Sequence, residues 1–264
     1  YNISHQFDNG DMLFQQLSCS MLKRRVGLVG RNGVGKSILA SILCGELEPS
    51  SGAVSLPKSF AVYRQQPSHL LSAGLTIGQF LGKAEVLEAL KRVESGDCSE
   101  HWFDVIGEQW DLSAQLTQQL KQLGLPLDVD FPCAQLSGGQ LARLQLWQLF
   151  NRDPELLILD EPSNHLDTHA KQWLLGMMQA FQGAILLISH DRVLLREVDE
   201  IWELSGLGLH VFGGSYSFYA EQKRTELQAL ERQLLSVDKQ KKQLQVQAQR
   251  NREKAEQRAA QGNK

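Results

Sequence analysis

One stretch limits the possible folds more than any other: Arg25-Val26-Gly27-Leu28-Val29-Gly30-Arg31-Asn32-Gly33-Val34-Gly35-Lys36-Ser37. It runs from apolar residues through a glycine-rich bend to Ile38, Leu39, Ile42 and Leu43 at helical spacing, and Gly45 ends it. That pattern is expected of a buried strand, a tight turn and a helix. The bend fits G-x-x-x-x-G-K-S, from Gly30 to Gly35, Lys36 and Ser37. Gly33 and Gly35 have no side chain to keep the backbone N–H groups from wrapping a phosphate, and a helix N-terminus adds positive potential. Lys36 would then reach β- and γ-phosphates, and Ser37 would offer its hydroxyl to Mg²⁺. The same residues would also make a plain βα turn with a solvated lysine, so context has to decide.

At 264 residues and 42% apolar, the chain can bury one sizeable core with a smaller subdomain and an appendage. It contains no uncharged apolar run of about 18 residues, the length that would suggest a membrane span. The opening residues lack the basic and apolar regions of an export signal, and no initiator Met is present, so residues are expected upstream. Cys19, Cys44, Cys98 and Cys133 are far apart with no C-x-x-C, which suits a reducing cytoplasm better than a disulfide frame or a zinc site. A net charge of −3 argues against a chain that adheres broadly to nucleic acid.

Short strands are expected over Tyr1 to Phe7, at Met12 and Leu13, over Gln16 to Met21, Val26 to Val29, around Val54 and over Phe60 to Tyr63. Helical spacing takes over from about Thr76 to Leu125, with Val86, Leu90 and Val93 on one face and Leu112, Leu116, Leu120 and Leu123 on another. After Leu136-Ser137-Gly138-Gly139-Gln140 another helix is expected, and then Leu156-Leu157-Ile158-Leu159-Asp160-Glu161-Pro162. A continuous apolar run ending in two acids is how a parallel strand buried on both faces should read, its acids delivered at the carboxyl end. Ala184 to Ser189 is a second such run, closed by His190, and strands at Ile201 to Leu204 and Leu209 to Phe212 complete the globular part. From Phe218 onward Leu227, Leu230, Leu234, Val237, Leu244 and Ala248 follow a 4-3 repeat, a narrow seam that calls for a partner helix. Residues 221 to 264 hold eleven Lys or Arg against six Asp or Glu, so this arm is basic, as a solvated coiled-coil face or as a nucleic-acid contact.

Taken in order, the Lys36 loop, the Gln66 region, LSGGQ at 136 to 140, LLILDEP at 156 to 162 and the strand-end His190 resemble the ATP-binding cassette (ABC) ATPases over nearly all of residues 1 to 215. The resemblance implies an α/β fold: a P-loop NTPase cassette with an antiparallel β subdomain, an inserted helical subdomain and a C-terminal coiled-coil helix. The expected division is 1–70 and 134–217 for the ATP-binding core, 71–133 for the helical subdomain and 218–264 for a basic linker helix. ATP and Mg²⁺ are the expected ligands. Asp160 would hold Mg²⁺ together with Ser37 and Gln66, and Glu161 would orient and deprotonate the attacking water. Gln66 falls where the family's Q-loop glutamine lies, with Gln65 as its competitor. His190 matches the family's switch histidine at the γ-phosphate. Phe7, 29 residues before Lys36, or else Phe14, would stack on adenine. Ser137, Gly138, Gly139 and Gln140 in the signature, and Asp167 in the D-loop, would serve the nucleotide of an opposed cassette, so a second cassette, on the same full-length chain or in a homodimer, is an implied partner.

Glu161-Pro162-Ser163-Asn164-His165-Leu166-Asp167 is similar to the EPTNHLD of the ABC-F branch, whose members carry two cassettes, have no membrane domain and act on ribosomes. Gly213-Gly214-Ser215-Tyr216-Ser217-Phe218-Tyr219 is similar to the stretch leading from the first ABC-F cassette into a linker that reaches toward tRNA. The expectation is a cytoplasmic ABC-F-type ATPase, here as a piece of a longer protein, with a ribosome or tRNA contact through the linker and no membrane insertion. A transporter ATPase subunit and a DNA-maintenance ATPase are the alternatives. Trp147, where small residues are common, and the lack of a separate basic arm between Gln66 and Leu136 depart from the pattern.

Overall fold

The structure is a computed structural model that describes residues 1–64 and 74–261. Internal contacts divide the chain into two compact units, Tyr1–Tyr216 and Ser217–Lys264.

The first unit is built on a six-stranded sheet. In chain order its strands are β3 (Arg25–Gly30), β4 (Phe60–Tyr63), β5 (Leu156–Asp160), β6 (Ala184–Ile188), β7 (Glu200–Ser205) and β8 (Gly208–Gly213), and they lie side by side as β4-β5-β6-β3-β7-β8. All neighbours are parallel except β8, which turns back along β7. From β3 the chain crosses to the far edge at β4, works inward through β5 and β6, and passes over β3 to lay down β7. Such a reversal of direction opens a crevice at the carboxyl ends of the strands on either side of it. Register makes the crevice specific: Leu28 of β3 and Asp160 of β5 both lie opposite Ile188 of β6. The three strands therefore release their loops side by side. Leu157, Ile158, Leu159, Ile185, Leu187 and Ile188 are wholly buried, as strands covered on both faces must be.

β1 (Ile3–Gln6) and β2 (Met12–Leu17) form a separate antiparallel pair. Here the structure corrects the expected pattern: Met12 to Leu17 is one strand, and residues 18–24 are not strand. Gln16, at φ 52, kinks the strand without ending it, and its N–H donates to Ser4 Oγ at 3.0 Å. Leu17 then pairs with Ile3, after which the Ser18 hydroxyl accepts the Asn2 N–H and closes the pair. No strand forms around Val54 either. Its neighbourhood contributes one isolated bridge, Ser4 to Ser51, while Val54 packs against the apolar cluster of the main sheet.

Helix α1 (Lys36–Leu43) follows β3 and buries Leu39, Ala40 and Ile42 against the sheet. The helical part contains α2 (Ile77–Phe80), α3 (Ala84–Glu94), α4 (Glu100–Ile106) and α5 (Leu112–Gln122), then α6 (Gly138–Asn151), which returns to β5. Two apolar clusters hold it together. One gathers Ile77, Leu120, Leu123, Leu125, Cys133, Leu136, Leu141 and Leu144; the other gathers Leu87, Ala89, Leu90, Ile106, Leu112 and Leu116. Trp147, at a position where small residues are common in the family that the chain resembles, packs against both clusters. Helices α7 (Thr168–Ala180) and α8 (Arg192–Leu195) complete the unit. All four cysteines are free thiols.

Helix α9 (Tyr216–Gln261) forms the second unit. Its seam residues Leu227, Leu230, Leu234, Val237 and Leu244 are each more than half exposed. No helix among the described residues is long and apolar enough to cross a membrane.

Candidate functional site

The bend after β3 owes its shape to close approach. A Cβ on Gly30 would lie 2.4 Å from the Leu204 carbonyl oxygen of β7, and one on Gly35 would lie 2.8 Å from Leu13 Cδ2. Gly33 and Gly35 also have φ of 80° and 103°, where a side chain is strained. Gly35 caps α1 without a side-chain hydrogen bond, so the first N–H groups of the helix are left for a ligand. Asn32 is exposed in the bend. Lys36, only 8% exposed, folds over the loop and donates from Nζ to the carbonyls of Gly30 at 2.9 Å and Arg31 at 3.2 Å. Burial lowers its pKa, and the nearby Glu161 and Asp160 carboxylates work in the opposite sense. A buried ammonium beside a glycine-rich bend is chemically suited to anionic oxygen.

Asp160 ends β5 beside this loop. Burial raises its pKa, while the Arg64 charge, a hydrogen bond from the Ser37 hydroxyl and the Lys36 charge pull it down. Glu161 takes the next position in left-handed backbone, φ 47, pinned by its N–H to the Ile188 carbonyl of β6 at 2.8 Å. For a residue with a Cβ this conformation costs energy, and it turns the carboxylate out of the strand direction. Oε1 of Glu161 then lies 3.7 Å from Nε2 of His190, too long for a hydrogen bond. His190 is held from behind: Ser189 is fully buried and its hydroxyl accepts the Asp191 N–H, while Asp191 pairs with Lys171 of α7 at 2.7 Å and caps α8 through Val193. Burial pushes the Asp191 carboxyl up, but Lys171 and the helix N–H groups outweigh it and hold it below the usual range.

Lys36, Ser37, Asp160, Glu161 and His190 thus converge where β3, β5 and β6 end. A second cluster forms at the start of α6. Ser137 and Gln140 make a reciprocal capping box, and Gln140 Nε2 donates to the Gly124 carbonyl, fixing the helix entry against the end of α5. A Cβ on Gly139 would lie 2.8 Å from the His165 carbonyl oxygen. Asp167 caps α7 by accepting the Ala170 N–H at 2.7 Å. Ser137, Gly138, Gly139, Arg143, His165 and Asp167 help line an open cavity of about 400 Å³. It shares no residue with the Lys36 cluster.

Phe7 is 41% exposed and meets His5 edge-on, whereas Phe14 is 5% exposed in the core, so of the two only Phe7 presents its ring to solvent. Gln65 and Gln66 lie outside the described residues. Arg64, just past β4, was not anticipated. Its Nη1 pairs with Glu46 at 2.6 Å, and its charge acts on both Asp160 and the Cys44 thiol. One arginine after a strand carries no pattern that would have singled it out.

A family profile described as "ABC transporter" matches residues 15–164, more than half of the chain. The chain belongs to the ABC family. ABC ATP-binding domains are ATPases in general, and this one is an ATP-binding cassette by descent and by fold. It is 33% identical over 221 residues to "Energy-dependent translational throttle protein EttA" of Mycobacterium tuberculosis, covering 77% of this chain and 39% of that protein. It is 34% identical over 233 residues to "ATP-binding protein Uup" of Escherichia coli, covering 81% and 36%. To "ABC transporter F family member 3" of Arabidopsis thaliana it is 33% identical over 221 residues, covering 82% and 28%. These relatives are ABC-F proteins, and the chain spans two fifths of their length or less. A solved structure described as "Structure of ATP binding subunit of ABC transporter" superposes with a TM-score of 0.61 over 84% of this chain and 90% of its own, at 22% identity, which bears out the α/β cassette fold.

Proposed function

We propose that the chain is the ATP-hydrolysing cassette of a cytoplasmic ABC-F-type protein, cycling between open and ATP-sandwiched closed states to act on the ribosome or another RNA assembly. The observation that carries the proposal is the convergence of Lys36, Ser37, Asp160, Glu161 and His190 at the ends of three register-matched strands. Lys36 and the free N–H groups of the bend would bind the β- and γ-phosphates, with Phe7 against adenine. Among the described residues no group of three or more His, Cys, Asp or Glu could hold a metal by itself. A cation would have Asp160 and Ser37, with Gln66 as a further ligand, and would complete its shell with phosphates and water, as Mg²⁺ prefers. Its chemistry there is to neutralise charge on the phosphate oxygens.

Glu161 would take a proton from water as the water oxygen bonds to the γ-phosphorus and the bridging bond to ADP breaks. His190 would hold the γ-phosphate oxygen. The Ser137, Gly138, Gly139, Gln140 and Asp167 cluster, being separate, would serve the nucleotide of a second cassette, and full turnover would need that partner. The exposed seam of α9 would pair with another helix of the full-length protein, its basic charge directed at RNA.

The test is sucrose-gradient sedimentation of a Glu161→Gln variant with ribosomes. ATP-dependent cosedimentation supports the proposal. Absence from ribosomes together with recovery in a membrane complex would replace it with a transporter subunit.

A further inference from the structure

The helical part bears a surface that the nucleotide site does not use. Phe103 in α4 and Trp110 in the turn after it are 40% and 47% exposed, with ring centroids 5.7 Å apart. The surroundings are well packed. Ile106 is fully buried, and Trp102 packs on the helical core while its indole N–H donates to Asp97 Oδ2 at 2.8 Å. The turn is fixed by the Gly107 N–H on the Phe103 carbonyl, the Gln109 N–H on the Ile106 carbonyl and Lys83 Nζ on Gln109 Oε1. A braced turn therefore presents two large rings to solvent.

Charge tells what kind of partner suits them. Residues 94–120 contain Glu94, Asp97, Glu100, Asp104, Glu108 and Asp111, all exposed, and no Lys or Arg, although Lys83 from outside that stretch reaches the turn at Gln109. With a net charge of −3 overall, the rest of the chain is net positive. Glu100 stands one turn before Phe103 on the same helix, and Asp104 and Asp111 adjoin the two rings in sequence. We propose that this face docks a basic amphipathic segment of a protein partner, whose apolar side chains cover Phe103 and Trp110 while its Lys and Arg meet the surrounding carboxylates. Exposed aromatic anchors inside a charged rim are the usual make-up of a binding hot spot, and complementary charge speeds encounter and sets specificity. Nucleic acid bases also stack on aromatic rings, but their phosphates would meet the Glu100, Asp104 and Asp111 carboxylates that adjoin the rings. The same face of a second copy would set like charge against like.

The probe is a fluorescein-labelled amphipathic helical peptide with Lys and Arg on one face and Leu and Phe on the other, followed by anisotropy. Phe103→Ser with Trp110→Ser, and separately Asp104→Lys with Glu108→Lys, should each weaken its binding by at least about tenfold. The charge pair should also flatten the salt dependence, and neither pair should change ATP affinity. Equal binding to either double variant would overturn the proposal. So would oligolysine binding as tightly as the peptide, oligouridylate displacing it, or self-association of the chain through this face in sedimentation equilibrium.

Discussion

Replacing Glu161 with Gln and with Gly separates two roles that this position combines. Both variants remove the carboxylate, so both remove its attraction to Lys36. Only Gly also removes the left-handed strain at φ 47. That conformation costs a residue with a Cβ about 1–2 kcal/mol. Glycine gives back about 0.5–1 kcal/mol through the greater freedom of its unfolded chain. Glu161→Gly should therefore be more stable than Glu161→Gln by up to about 1.5 kcal/mol, a rise of up to about 6 °C in melting temperature for a unit of this size. Turnover should fall by about 10²–10⁴-fold in both, the usual contribution of a general base. Calorimetry and a phosphate-release assay on the two proteins at matched concentration measure both effects. If the Gly variant melts below the Gln variant, the backbone at this position is not strained. If the Gln variant hydrolyses ATP at the native rate, the base lies elsewhere.

Lys36→Ala should weaken ATP binding by about 10–150-fold, since charge-assisted hydrogen bonds are worth about 1.5–3 kcal/mol, and equilibrium binding of a fluorescent ATP analogue checks this. Gly139→Ala forces a Cβ against the His165 carbonyl at 2.8 Å. It should cost about 1–3 kcal/mol in a denaturant melt and should lower turnover without changing the ATP affinity of the isolated cassette. Arg64→Met removes the largest influence lowering the Asp160 pKa, so that pKa, already raised by burial, should climb further. Asp160 binds a cation only when deprotonated, so the Mg²⁺ needed for half-maximal turnover should rise more at pH 5.5 than at pH 8. An equal change at both pH values would show that Arg64 does not act through Asp160.

Strong local patterns reported the central strands and the bend. Leu156 to Leu159 could be read because a strand covered on both faces has no alternation to hide, and the glycines of the bend because Gly30 lies against the Leu204 carbonyl and Gly33 and Gly35 take positive φ. The boundaries of β2 were less legible. Gln16 carries no sign that its backbone turns left-handed, and the strand ends through the Ser18 hydroxyl, a partner set by the fold. Val54 looks like a strand residue, yet its apolar side chain serves packing alone. Arg64 and Lys171 escaped notice because their partners, Glu46 with Asp160 and Asp191, are distant in sequence and meet them only once the sheet is assembled.

The most direct test is a crystal structure of Glu161→Gln grown with ATP and Mg²⁺. The triphosphate should lie along the Gly30 to Ser37 bend, with Lys36 Nζ released from the Gly30 and Arg31 carbonyls onto phosphate oxygen, the cation between Ser37 and Asp160, and His190 toward the γ-phosphate. Nucleotide bound elsewhere, or Lys36 still folded on those carbonyls with the phosphates in place, would contradict the account.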